Sequence, residues 1–375
     1  MPTITKEQAF ENIQKSCEER LNQIYCAGVP EFAKERLEKE LKALSKSETI
    51  FQFEIYRIVA QAAKSESIPI NTCNGTFIAY LIGYMLLNPL PAHYYCKNCG
   101  HSECNNDYNV FGMDLPKKKC ACGNTMISMG IGIPYEFVWK NIRSMYYQHL
   151  GIGIIPEFIP IAEKTIGSFF SNPVFIIPDG TTSYPTEVSI FIENNSSLRI
   201  IYDFQRRTGI KAEEIEFSDA FNFNYHSLIE IRPNYKKLTE WFDELNPLSF
   251  QDFTRAFAFY KWQRVKPGYA TIDEIKEMIN SERFKKYPFA VQEDIFIYLI
   301  QNGVSAEDAY EMSNLWSDRP LYQLIEKYNF DNELMEILSG YGYRPLRFRH
   351  GSRVFDTARI YELMLIVKYL EILKK

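Results

Sequence analysis

The sequence lacks any apolar stretch of the roughly 18 residues that a membrane span requires. Its longest apolar run covers residues 77–87, is interrupted by Gly83 and closes at Asn88-Pro89. This run is therefore predicted to be a buried helix. No basic segment followed by an apolar one opens the chain, so we predict neither a secretory signal nor a membrane contact and expect a cytoplasmic protein.

Excess positive charge is also missing. The chain has 42 Lys and Arg against 47 Asp and Glu, a formal net charge of −5. Because non-specific nucleic-acid binding rests mainly on neutralising phosphates, such a chain needs a local basic face to bind DNA. Positive charge is concentrated beside Tyr343 and Phe348, at Arg344, Arg347, Arg349, His350, Arg353 and Arg359.

This basic stretch has two interpretations. In the first, it contacts nucleic acid weakly and without sequence preference through Arg344, Arg347, Arg349, His350 and Arg353. In the second, it is a solvated face whose arginines pair with the acidic residues of 326–336.

Common catalytic motifs are absent as well. The chain has no Walker or G-x-G-x-x-G loop for phosphates and no G-x-S-x-G nucleophile turn. The sequence therefore gives no support to a P-loop nucleotidase, a dinucleotide-dependent enzyme or an α/β-hydrolase.

Helical periodicity dominates what is present. Apolar residues recur at helical spacing from 5 to 44, across 50–64 and again from 198 onward. Two short β-branched segments, 174–177 and 188–192, are typical of strands. We therefore predict an α+β fold with a small β-sheet, flanking helices and a mostly helical C-terminal lobe.

Four of the eight cysteines form two close pairs, each followed by glycine: Cys96, Cys99, Cys120 and Cys122. Two such pairs are typical of a tetrahedral zinc site, since each turn offers two thiolates. The surrounding segment is short and polar with no apolar periodicity, so it needs a metal to fold. The second pair is C-x-C, which leaves Cys104 or His101 open as a replacement ligand. A closed four-thiolate shell implies structural zinc, and the alternative is four free or buried thiols.

Residues 88–103 read NPLPAHYYCKNCGHSE. This run resembles the NPLPPHYxCPxCKHSEF motif of the PolC-type bacterial DNA polymerase III alpha subunit. In order along the chain follow residues 112–116, similar to GFDLP of that family, the second cysteine pair, and residues 133–137, similar to DIPFETF. Weaker similarities at 161–165, 199–215 and 292–309 extend the resemblance over most of the chain.

The resemblance implies a polymerase palm with an inserted zinc knuckle and a helical fingers lobe. The predicted divisions are an N-terminal helical part of the palm at 1–92, the zinc knuckle at 93–130, palm-like strands at 131–200 and a fingers-like lobe at 201–375. It further implies that the exonuclease, the PHP domain and the C-terminal DNA-gripping modules of the family are absent.

The same resemblance implies that catalytic carboxylates are lost. Polymerisation needs two divalent metals held by carboxylates. The family's LKLDILGHDD strand maps onto residues 188–195 and puts Phe191 in place of an aspartate. Its PDIDL run maps either onto 156–160, which leaves Glu157 and Ile159, or onto no residues at all. At most one carboxylate survives, so bound magnesium is not expected.

Two further parts of the family's chemistry differ. The phosphate loop, GSRGSVGSS in the family, maps onto residues 70–76, which contain no arginine and one glycine. The basic fingers helix maps onto residues 311–318, which contain Glu311 and Asp318 and no basic residue.

Three functions remain open at this point. The first is a catalytically inactive scaffold that binds nucleic acid or a replication protein. The second is a residual polymerase using unorthodox carboxylates such as Glu157, Asp179 and Glu193. The third is a pure protein-interaction module. The sequence does not determine the oligomeric state.

Overall fold

The computed structural model describes residues 4–47, 49–72, 75–84, 86–144, 150–167, 175–177, 189–215, 217, 223–265, 271–313, 324, 327–338 and 352–374. The chain divides into two compact units. Unit 1 comprises residues 1–223 and 361–375, and unit 2 comprises residues 224–360. The boundaries at residues 92, 130 and 200 stay predictions.

The described part of unit 1 contains seven helices before residue 223: α1 (Lys6–Ile24), α2 (Glu31–Leu44), α3 (Ile50–Ser65), α4 (Phe77–Ile82), α5 (Tyr135–Ser144), α6 (Ile159–Gly167) and α7 (Ser196–Thr208). Its strands are β1 (Asn71–Thr72), β2 (His93–Tyr95), β3 (Ser102–Cys104), β4 (Ile127–Met129), β5 (Leu150–Ile154), β6 (Phe175–Ile177) and β7 (Ser189–Asn194). The helical hairpin predicted for residues 5–44 is present as α1 and α2, and the two predicted strands are present as β6 and β7.

Helix α1 illustrates how local sequence sets these elements. Its N-terminus is a capping box, in which Thr5 Oγ1 accepts the N–H of Gln8 at 3.2 Å and Gln8 Oε1 accepts the N–H of Thr5 at 3.0 Å. One face, at helical spacing, is fully buried and carries Ala9, Ile13 and Cys17. This face packs against α3 and α4, so the helix gains most of its stability from tertiary contacts.

The larger sheet has the strand order β1-β5-β7-β6. Strand β5 pairs in parallel with β7, with Gly151 opposite Phe191 and Gly153 opposite Glu193. Strand β6 also runs parallel to β7, and the short β1 is antiparallel to β5. Helix α3 packs against both β5 and β7 as well as α6, which places the core of unit 1 on that side of the sheet.

The smaller sheet is antiparallel, with the order β3-β2-β4. Two tyrosines tie it to the helical hairpin. The Tyr95 hydroxyl accepts the N–H of Ala27 at 2.8 Å, and the Tyr25 hydroxyl lies 2.9 Å from His93 Nε2. His93 is buried, and burial lowers its pKa to about 4, so its imidazole is neutral at pH 7.

The apolar run predicted as one helix over residues 77–87 forms only the short helix α4. A Cβ atom at Gly83 would overlap the Tyr56 hydroxyl, so only glycine fits where α4 ends. Tyr84 follows with φ of 50°, in the left-handed region that ends a helix. The prediction was therefore too long, because the helix ends at Gly83, which is its C-cap.

Unit 2 is helical in its described residues. It contains α8 (Leu228–Ile231), α9 (Lys236–Leu245), α10 (Phe250–Val265), α11 (Ile272–Asn280), α12 (Glu282–Lys286), α13 (Gln292–Gln301), α14 (Ala306–Ser313) and α15 (Asn332–Leu338). A mostly helical protein with a small antiparallel sheet agrees with the predicted fold class, and the palm-like character of the larger sheet stays a prediction.

The last helix, α16 (Arg353–Leu373), begins in unit 2, and its residues from Tyr361 onward belong to unit 1. There the carboxylate of Glu362 accepts hydrogen bonds from the side-chain amides of Asn71 at 2.7 Å and Asn195 at 2.9 Å. This carboxylate therefore joins α16 to β1 and to the residue that follows β7.

Among the described residues, no helix is both long enough and apolar enough to cross a membrane.

Candidate metal centre and predicted catalytic positions

The first cysteine pair lies on a tight turn that follows β2. The N–H of Cys96 donates to His101 O at 2.9 Å, and the N–H of Gly100 donates to Cys96 O at the same distance. Gly100 has φ of 75°, and a Cβ atom there would overlap the carbonyl oxygen of Ala27. Glycine is therefore required after Cys99 both for the backbone conformation and for the close approach of the helical hairpin.

The second pair lies on a similar turn before β4. The N–H of Cys120 donates to Asn124 O at 2.8 Å, and the N–H of Gly123 donates to Cys120 O at 2.8 Å. Gly123 has φ of 88°, again a conformation that favours glycine. The two turns thus repeat one local design, which explains why each pair is followed by glycine.

The turns bring the four sulfurs together. The Sγ atoms of Cys96, Cys99, Cys120 and Cys122 all lie within 4.8 Å of one another. The Sγ atoms of Cys96 and Cys122 are 3.5 Å apart, and so are those of Cys99 and Cys120. Zinc–sulfur bonds of about 2.3 Å in a tetrahedron put sulfurs roughly 3.8 Å apart. The cluster therefore fits a zinc ion and can hold such a metal.

This geometry favours the four cysteines over the alternative ligands left open by the sequence. Neither His101 nor Cys104 is part of the cluster among the described residues. His101 Nε2 lies 3.3 Å from Glu103 Oε1 instead, and Cys104 lies on β3, where burial raises the pKa of its thiol. The C-x-C pair supplies both of its sulfurs.

The pKa values of two thiols in the cluster bear on metal binding. The side-chain amide of Asn124, with Asn124's own backbone N–H and neighbouring thiols, lowers the pKa of the Cys122 thiol to about 5. At Cys99 a backbone hydrogen bond from His101 lowers the pKa, but the thiols of Cys120 and Cys96 outweigh it and raise the value to about 12. Sulfurs this close cannot all ionise unless a metal ion balances their charge.

The positions predicted to replace the catalytic carboxylates lie on two neighbouring strands or just beyond them. Phe191 is on β7 and pairs with Gly151 of β5. Glu157 follows the end of β5, and Ile159 is the first residue of α6. The carboxylate of Glu157 forms an ion pair with the guanidinium of Arg199, whose Nε also lies 3.2 Å from Asp203 Oδ2.

The other two carboxylates considered for a residual enzyme are placed differently. Glu193 is on β7, opposite Gly153 in the register, and Asp179 lies outside the described residues. The cysteine site is the only group of three or more possible metal ligands found among the described residues.

A buried carboxylate that the sequence analysis missed occupies the start of α4. Glu40 is fully buried, and its two oxygens accept the N–H groups of Phe77 at 3.0 Å and Ile78 at 2.9 Å. Arg36 Nε lies 2.6 Å from the same carboxylate. The only sequence signal was the i, i+4 spacing of Arg36 and Glu40, which is common on exposed helices.

The predicted basic stretch falls mostly outside the described residues. Arg344, Arg347, Arg349 and His350 are among those not described, so their role stays a prediction. Arg353 is described and is only 1% exposed. Its backbone N–H donates to Glu293 Oε1 at 3.0 Å. Burial within unit 2 removes Arg353 from the predicted phosphate-contacting surface, because a guanidinium in the core cannot reach a phosphate.

Comparison with known proteins identifies PolC-type DNA polymerase III proteins among the similar proteins. The chain is 32% identical over 215 residues to the DNA polymerase III PolC-type of Thermotoga maritima, which covers 56% of this chain and 15% of the relative. It is 29% identical over 175 residues to that of Caldanaerobacter subterraneus subsp. tengcongensis, covering 44% and 12%. The protein of Staphylococcus aureus is 33% identical over 139 residues, covering 35% and 9%. No family model matches the chain.

These matches confirm the resemblance to PolC-type polymerases predicted from the sequence. The matched region nevertheless spans no more than 15% of the length of each of these relatives.

Proposed function

We propose that this chain is a catalytically inactive relative of the PolC-type polymerase core that binds nucleic acid or a replication protein. In this proposal, residues 1–92 and 131–200 form a palm-like part, residues 93–130 a zinc knuckle, and residues 201–375 a fingers-like lobe. The observation that carries the proposal is the ion pair between Glu157 and Arg199.

This ion pair bears directly on metal binding. Glu157 is the one carboxylate that the resemblance leaves at the predicted metal positions, and the guanidinium of Arg199 lies against it. The pair is exposed and adds little stability. Its significance is electrostatic, since a fixed cation beside a carboxylate opposes the binding of Mg²⁺ at that oxygen.

The start of α4 supports the same conclusion for phosphate binding. Helix N-termini bind phosphate when their N–H groups point at the ligand. Here the N–H groups of Phe77 and Ile78 donate to the Glu40 carboxylate, so a protein anion already occupies the place of a ligand anion. A triphosphate would have to displace a buried, paired carboxylate.

We expect no template-directed synthesis. Purified protein incubated with Mg²⁺, primer–template and labelled dNTPs should incorporate no label above a blank, because the carboxylates needed for the two metals are missing together. The measurement is gel-resolved primer extension, with a competent polymerase as positive control.

The residual-polymerase alternative makes the opposite prediction. Incorporation that disappears in Glu157→Gln but persists in Glu38→Gln, an exposed carboxylate on α2, would show that Glu157 serves a working active site. That result would replace the inactive-scaffold proposal.

Weak DNA binding is expected to depend on the arginines outside the described residues. An Arg344→Ala/Arg347→Ala/Arg349→Ala variant should lose most of the affinity of the wild type for a labelled primer–template. Wild-type affinity should be no better than about micromolar near physiological salt and should fall steeply as salt rises. Arg353 is left intact because its replacement would disturb the core of unit 2.

Fluorescence anisotropy at low and moderate salt measures this binding. The matched control removes three exposed lysines of the same unit, Lys236, Lys237 and Lys285, and should bind almost as well as the wild type. Equal binding by the arginine variant, or no low-salt binding by the wild type, would remove the support for a nucleic-acid role. A protein-interaction module would then be the better proposal.

A further inference from the structure

A small cavity in unit 1 contains none of the four clustered cysteines in its lining. Its volume is about 70 Å³. It is bordered by Lys64 at the end of α3, by the turn at 67–70, by Tyr84, and by residues 211–213 after α7. Three separate stretches of the sequence therefore build it.

Tyr84 is held at this cavity by backbone geometry. Gly83 is the only residue that fits beside Tyr56, and Tyr84 itself has φ of 50°. Non-glycine residues rarely adopt this conformation, which costs free energy and is concentrated at functional sites. The ring is half-buried and has two cations against it, with Lys64 Nζ 3.6 Å and Arg20 Cζ 5.0 Å from its centroid.

The charges around the ring do not balance. Arg20 forms an ion pair with Glu213 at 3.4 Å. Among the described residues, neither the ammonium of Lys64 nor that of Lys211 has a carboxylate partner. Glu214 adds a second carboxylate, since its Oε2 accepts the backbone N–H of Lys211 at 3.0 Å. Three cations and two carboxylates leave an excess of one positive charge in a chain whose net charge is −5.

The ionisation of Lys64 reflects this excess. Partial burial lowers its pKa, and the nearby charges of Arg20 and Lys211 lower it further, while Glu213 opposes them. An anion placed between these groups would relieve the repulsion, because an opposite charge favours the protonated ammonium.

We propose that this cavity, between Tyr84, Lys64, Lys211 and the Arg20–Glu213 pair, binds a phosphomonoester group. The negative charge of a phosphate offsets the local positive excess, and lysine ammonium groups are common point-charge ligands of phosphate. The cavity is well below the roughly 300 Å³ at which whole small-molecule sites begin, so it admits the phosphate group and not an entire nucleotide.

Two sources can supply this group: the 5′-phosphate at the end of a nucleic-acid strand, or a free phosphate compound. The site uses none of the arginines predicted to bind DNA and none of the positions predicted to replace the catalytic carboxylates. A test of this site is therefore separate from a test of the proposed function.

The first test uses inorganic phosphate and the full chain. Calorimetric titration compares the wild type with Lys64→Gln/Lys211→Gln, and with Lys15→Gln/Lys34→Gln as a control that removes two exposed lysines from α1 and α2. Phosphate should bind the wild type and the control alike and the Lys64/Lys211 variant about tenfold more weakly or worse, as expected for losing charge-assisted bonds. Chloride at matched ionic strength should produce no such difference.

The second test distinguishes the sources. A labelled oligonucleotide with a 5′-phosphate is compared with the same oligonucleotide carrying a 5′-hydroxyl. A preference of about tenfold for the phosphate in the wild type, reduced to near equality in the Lys64/Lys211 variant, assigns the site to a strand end. Phosphate binding with no such preference assigns it to a free phosphate compound.

The inference is overturned if phosphate binds the Lys64/Lys211 variant as well as the wild type, or binds neither. Both lysines are exposed, so the variant should fold, and far-UV circular dichroism checks this. If the Arg344/Arg347/Arg349 variant binds both oligonucleotides equally more weakly than the wild type, that result concerns only the proposed function.

Discussion

Protein purified without added metal is expected to contain about one zinc per chain, and chelation is expected to unfold residues 96–126. The reason is that the segment has almost no core of its own. Its buried cluster consists of Cys96, Cys120 and Met126, with Tyr94 packed against them. Structural zinc contributes about 10–16 kcal/mol in small zinc-finger peptides, comparable to the whole stability of an ordinary domain.

Elemental analysis measures the zinc, and hydrogen exchange before and after chelation measures the unfolding. The variant Cys99→Ser/Cys122→Ser should lose the metal. Cys26→Ser is the matched control, since Cys26 is exposed and its Sγ lies 3.9 Å from Lys97 O without belonging to the cluster. Zinc far below one per chain, or unchanged in the double variant, would refute the assignment.

Replacement of Glu40 by alanine is expected to lower the free energy of unfolding by about 3–5 kcal/mol. The substitution leaves Arg36 as a buried charge, 8% exposed, without its carboxylate. It also leaves the first N–H groups of α4 without an acceptor. Both effects act on groups that water cannot easily reach, so neither is offset by solvation.

Hydrogen exchange in peptides covering α2 and α4 measures this loss by segment, which avoids assuming that the two units unfold together. Exchange that reports global opening should accelerate by about a hundredfold or more. Glu38→Ala, an exposed glutamate on the same helix, is the control and should change stability by no more than about 0.5 kcal/mol. Equal effects of the two substitutions would contradict the role assigned to Glu40.

Local signals account for the parts of the fold that the sequence predicts well. The capping box at Thr5 and the apolar spacing of α1 depend only on neighbours within a few residues. The paired cysteines similarly predicted their own cluster, because each pair and its glycine specify one turn. Such features need no knowledge of distant contacts.

Features set by distant residues were not predictable in the same way. The close approach of Tyr56 to Gly83 joins residues twenty-seven positions apart. The acceptor for the N-terminus of α4 is Glu40, and the ion-pair partner of Glu157 is Arg199. The spacing of residues along the chain does not predict these contacts, because they form only when separate elements pack together.

Arginine-rich composition was similarly ambiguous. Arg353 belongs by sequence to the basic stretch, yet it is buried in unit 2. Charge alone does not distinguish an exposed cation from one that is enclosed at the start of a helix. For the same reason the cations around Tyr84 gave no signal, since Arg20, Lys64 and Lys211 are far apart in the sequence.

The return of α16 to unit 1 has a consequence for synthesis. Residues 361–375 belong with residues 1–223, so the ribosome must add the 137 residues from 224 to 360 in between. At about 5–20 residues per second this takes roughly 7–27 s. Until then Asn71 and Asn195 lack the carboxylate of Glu362. Unit 1 therefore cannot complete its fold until residues 224–360 have been made.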